Sequence, residues 1–102
     1  MNMGTYRPVV TDEKTTEIPA WMERHIDEIA EMLHDNWAAR RFEQGWKWGE
    51  QRDAAQNIAP CLTHYRFLPG DEKEHCRQRA REALAVILSV MPECGDVWEN
   101  GE

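Results

Sequence analysis

From Met22 onward, apolar residues return every three or four positions, at Ile26, Ile29, Leu33 and Trp37, while Glu23, Asp27, Glu31 and Asp35 fall between them. That spacing is the period of an α-helix with one buried face. Pro19 suits the first helical position, and Gly45 suits the end, where a glycine takes the left-handed conformation at little cost. The pattern predicts one amphipathic helix of about six or seven turns. A second stripe, Ala80, Ala83, Leu84, Ile87, Leu88 and Met91, predicts another long helix. A capping box from Asp71 and Glu74 would open it and Pro92 would stop it. Between the stripes, the stretch from Gly45 to Gly70 has no helical period and carries Trp46 and Trp48, which share one side if the chain is extended there. It predicts a structured connection with room for short β segments.

The expected fold class is therefore mainly α, with two long antiparallel helices joined by an aromatic-rich irregular connection. Residues 1–18 are expected to form an extended arm that docks through Tyr6, Val9 and Val10. Residues 19–92 form the core of the domain, and residues 93–102 an acidic tail that Trp98 would tether. Two helices make a thin core, so the arm, the connection or a second subunit is expected to complete it.

With 102 residues the chain has material for one core. No apolar run approaches a membrane span and no signal-peptide pattern opens the chain, which makes a cytoplasmic protein the expectation. The three cysteines, Cys61, Cys76 and Cys94, are unevenly spaced and read as free thiols. A formal net charge of −7 argues against nucleic-acid binding, which needs a concentrated basic surface. The charge is uneven, however. Between Arg40 and Arg66, the bases Arg40, Arg41, Lys47, Arg52 and Arg66 outnumber Glu43, Glu50 and Asp53.

Cys61, His64, His75 and Cys76 match no common zinc spacing, so no metal or other cofactor is expected. Ser89, the only serine, lies inside the second predicted helix, and no glycine-rich turn presents a cysteine, so no enzyme is expected. What remains is the cluster of Trp37, Trp46, Trp48 and Tyr65 with Arg40, Arg41 and Arg52. Aromatic faces stack planar rings, and guanidinium forks hold phosphate or carboxylate. The competing expectation is that the aromatics, Trp37 and Trp46 above all, fill the core while the arginines pair with Glu43, Glu50 and Asp53.

These residues also stand in a recognisable order. His34-Asp35-Asn36-Trp37-Ala38, Arg41, Gly45-Trp46-Lys47-Trp48-Gly49, Gln51-Arg52-Asp53, Pro60-Cys61-Leu62, Tyr65, Leu68-Pro69 and Glu72-Lys73 resemble the RyR domain, from about Tyr6 to Met91. The family is named after the ryanodine receptor, and it also occurs as short free-standing proteins in bacteria and phages. His64 and Cys76 depart from the family's usual residues at their positions. The resemblance implies a peripheral ligand-sensing or interaction module, and calcium conduction does not carry over to this chain. The receptor's repeats come in tandem pairs, which a homodimer of this chain would imitate. The leading expectation is a module for a small anionic, nucleotide-like ligand. Its expected contacts are Trp48 or Tyr65 for stacking and Arg41 and Arg52 for the charge, with Trp46 and Arg40 beside them. The alternative is a protein-interaction module in which these residues only hold the fold.

Overall fold

The computed structural model describes residues 5–14 and 16–91. The expectations for Pro92, Cys94, Trp98 and the acidic segment 93–102 lie outside those residues. The architecture is mainly helical: α1 (Ala20–Glu23), α2 (Ile26–Glu43) and α3 (Gly70–Val90), with short strands β1 (Lys47–Trp48) and β2 (Ile58–Ala59) in the connection. Ion pairs from α1 and α2 meet α3 in reverse order, Glu23 of α1 with Arg81 and Asp27 of α2 with Arg77, so the chain through α1 and α2 runs antiparallel to α3.

The first predicted helix is broken at Arg24 and His25, where His25 leaves helical geometry at φ −105° and ψ 14°. Turn bonds from Arg24 to Ala20 and from His25 to Met22 bridge the break. The buried stripe is rotated by one position from the one expected: Ile26, Ala30, His34 and Ala38 face inward, while Leu33 is exposed and Trp37 half-buried. The cause is close packing through alanine. Ala30 and Ala80 are fully inaccessible within one cluster with Ile26, Tyr65, Leu68 and Cys76. Small side chains at that seam let the helices approach, and the larger Leu33 and Trp37 are displaced to its flank. On α3 the buried set is Cys76, Ala80, Ala85 and Leu88, whereas Ile87 and Met91, both expected inside, are exposed.

The capping box does not form. Buried Leu68 anchors the chain just before α3, so the helix starts at Gly70 with Pro69 as its cap and Asp71 already in the first turn. Glu74 turns instead to Arg77 at 2.9 Å and Arg81 at 3.3 Å. The arm also differs from expectation. Tyr6, Val9 and Val10 are 72–93% exposed, and the contact with α3 is polar, from Gln78 to Glu13.

In the connection, Gly45 adopts φ +92° after α2, as its position suggests. Strands β1 and β2 pair in parallel, Lys47 with Ile58 and Trp48 with Ala59, and the turn between them places Asn57 at φ 60°. A side chain at Gly49 would collide with Ile58, so glycine is required where the strand passes its partner. Ala38, Ala59 and Leu62 form a second small core, with Trp37, Trp46 and Cys61 packed against it.

The Asp27 carboxylate accepts from Arg77 at 3.1 Å and from the Tyr65 hydroxyl at 2.9 Å. The Arg77 bond first, then the Tyr65 bond, holds Asp27 below the usual carboxylate range; Arg77 does the same to Glu74. A carboxyl whose folded pKa is depressed stabilises the fold above its unfolded pKa, and that contribution is lost as pH falls through the folded value. The stability advantage of the wild type over Asp27→Asn should therefore be constant from neutral pH to about 5 and shrink below about 4. Urea denaturation at a series of pH values measures it. An advantage that instead grew on acidification would contradict the network.

Candidate functional site

Where α2, the connection and α3 meet, the packing leaves a cavity of about 490 Å³. That is within the roughly 300–1,000 Å³ typical of small-molecule sites. Ala30, Leu68 and Cys76 form its apolar floor, and Leu33, His34 and Trp37 of α2 form one wall. Arg41 stands at the C-terminal end of that wall, Arg52 enters from the connection, and Arg79 and Glu72 face them from α3. Three guanidinium groups and one carboxylate thus line the same cavity.

The sequence places these groups by simple rules. His34, Trp37 and Arg41 are three and four residues apart and so share one flank of α2. Trp46, just past Gly45, folds back under two of the arginines: its ring lies 5.4 Å from the Arg41 guanidinium carbon and 5.6 Å from that of Arg52. Arg41 also lies 5.8 Å from the Trp37 ring and donates to Gln44 at 3.1 Å. The Trp46 ring thus attracts both guanidinium groups through its negative face.

Among the described residues, Arg41, Arg52 and Arg79 form no ion pair. The competing expectation paired the first two with Glu43, Glu50 and Asp53, and that pairing is absent. Asp53 is occupied with Gln56, accepting from its backbone and side-chain nitrogens. The fully paired arginines lie elsewhere: Arg77 and Arg81 tie α1 and α2 to α3.

Of the residues expected to bind ligand, Arg41 and Arg52 reach the cavity, and Trp46 supports both from behind. The others lie apart from it. Trp48 is exposed on a different face, in a groove of about 450 Å³ with Phe42, Asp35 and His64. Tyr65 is buried in the core with its hydroxyl bonded to Asp27. Arg40 is exposed on α2 and lines neither space. His34 and Arg79 are cavity residues that sequence reasoning passed over, and Trp37, weighed in the aromatic cluster but assigned to the core, lines the cavity as well. The helical spacing His34, Trp37, Arg41 was a usable signal, masked because Trp37 fitted the apolar stripe. Arg79 carried no local signal, because only the folding of α3 against α2 brings it across.

Cys61 and Cys76, both free, line the cavity, and burial pushes the Cys76 thiol up. Among the described residues no three or more His, Cys, Asp or Glu side chains converge as a metal site would require. No helix among them is long and apolar enough to cross a membrane.

Fold and site together define a small helical module with a cationic, aromatic-walled cavity between its two long helices. The family model of the RyR domain matches residues 6–92, most of the chain, and the chain belongs to that family.

Proposed function

We propose that this RyR domain is a binding module for a small anion carrying a planar ring, of the nucleotide class, and that it carries out no chemistry on that ligand. The observation that carries the reading is that Arg41, Arg52 and Arg79, none of them in an ion pair among the described residues, line one cavity with His34 and Trp37. Unpaired guanidinium groups beside an apolar floor favour an anionic ligand, and charge-assisted bonds from a fork are among the stronger polar contacts. The His34 and Trp37 rings, 5.7 Å apart and inclined by 34°, offer the flat apolar surface that a base needs. The binding reading rather than an enzymatic one is supported by the state of the nucleophiles. Burial keeps Cys76 protonated, and the Ser89 hydroxyl is spent on the Val86 carbonyl inside α3.

The test is a titration with adenosine monophosphate followed at the tryptophan indole N–H resonances. Trp37 and Trp46 should shift together with one saturating curve, while Trp48, outside the cavity, stays in place.

A second reading draws on a different observation. Phe42 and Trp48, each about half exposed, line the groove beside Leu62, and Val86 and Val90 are exposed on α3. Exposed apolar surface of this kind supports a protein contact, including self-association as a homodimer.

A further inference from the structure

His34 is 5% exposed, a buried polar side chain in the core, and it lines the cavity. Its Nε2 lies 2.7 Å from the backbone carbonyl oxygen of Thr63. A carbonyl can only accept, so Nε2 must carry the proton and donate it. The bond spans from α2 to the connection and fixes both the ring's orientation and its tautomer.

The other nitrogen, Nδ1, has no partner among the described residues. It is not sealed in either, because no buried side-chain nitrogen or oxygen among those residues is left without a hydrogen bond. Nδ1 is therefore not fully enclosed, the cavity is the space that His34 lines, and in the neutral ring Nδ1 holds a lone pair. The site then has two opposite demands. Arg41, Arg52 and Arg79 offer only donors, whereas Nδ1 offers an acceptor on the wall beside Trp37. Glu72, across the cavity, is also an acceptor when ionised.

We infer that His34 is a specificity-determining residue of this cavity, and that its ligand presents an N–H or O–H donor on the planar ring to Nδ1 while its anionic group lies on the arginines. This rests on the anion-binding reading above and narrows it to donor-bearing rings such as aminopurines. A ring lacking the donor would leave Nδ1 facing an apolar edge, with its water removed and nothing in return.

Calorimetric titration of the full chain compares adenosine monophosphate with purine riboside 5′-monophosphate, which keeps the ring and phosphate but lacks the exocyclic amine. The wild type should bind the amino compound about tenfold or more tightly, the scale of one lost hydrogen bond at a desolvated site. His34→Phe keeps a flat ring in the wall and removes the Nδ1 acceptor, along with the bond to Thr63; there the two affinities should fall within about twofold of each other. Ring nitrogen-15 spectra of the wild type provide a reading that needs no ligand: Nε2 protonated and Nδ1 bare.

Equal wild-type affinities, discrimination retained in His34→Phe, or a protonated Nδ1 paired with a bare Nε2 would each overturn this inference while leaving the anion site standing. Failure of both nucleotides to bind would overturn the anion-binding reading, and this one with it.

Discussion

Replacing Arg41 and Arg52 together by alanine is expected to weaken binding of adenosine monophosphate by about 100-fold or more, measured by calorimetry. Each guanidinium bond to a charged ligand group contributes about 1.5–3 kcal/mol, and two of them exceed the roughly 2.7 kcal/mol that 100-fold represents. The loss should belong to binding rather than to folding. Neither side chain is in an ion pair among the described residues; each gives up its stacking on Trp46, and Arg41 also its stacking on Trp37 and an exposed bond to Gln44. Such stacking contributes about 0.5–1 kcal/mol at exposed sites, which a domain of this size tolerates. Arg40→Ala is the control. It removes the same charge from the exposed surface of α2 and should leave the affinity within about twofold. An equal loss from Arg40→Ala would mean that general charge, not the cavity, attracts the anion.

The largest expected effect on stability is at Leu68. It is 5% exposed, packs in the cluster with Tyr65, Cys76 and Ala80, and fixes the chain immediately before α3. Leu68→Ala should cost about 2–4 kcal/mol in urea denaturation, from lost transfer energy and the enlarged void. Because Leu68 also lies on the cavity floor, that void opens onto the site. A cost below about 1 kcal/mol would mean that the connection is not held by the main core.

The contrast between these two positions reflects how the chain encodes itself. Two long helices were legible because apolar residues keep the helical period, and Gly45 was legible because few other residues tolerate φ +92°. The rotation of the α2 stripe was not. Ala30 and Ala38 carry little hydrophobic signal beside Leu33 and Trp37, although their small size is what admits the partner helix. Periodicity finds the most apolar face; close packing selects the smallest one. The start of α3 was misplaced for a related reason. The Asp71 and Glu74 pattern is local, whereas Leu68 burial and the Glu74 pairing with Arg77 and Arg81 are tertiary.

The candidate site was half legible. A locally basic, aromatic middle pointed to Arg41, Arg52 and Trp46, and the structure brings these three together. The same reasoning attached Trp48 and Tyr65, which the fold sends to an exposed groove and to the core. The strand begins only at Lys47, so its alternation does not extend to Trp46, which packs on the second core while Trp48 stays exposed. His34 and Arg79, more than forty residues apart in the chain, depended on the meeting of two helices, which no local pattern records.

The central claim, that the cavity between α2 and α3 is an anion-binding site with an aromatic wall, is tested most directly by the indole titration with adenosine monophosphate. The account predicts saturable shifts at Trp37 and Trp46 with none at Trp48, accompanied by a rise in melting temperature, because ligand held only by the folded state stabilises it. Shifts confined to Trp48, or an unchanged spectrum at millimolar nucleotide, would contradict it.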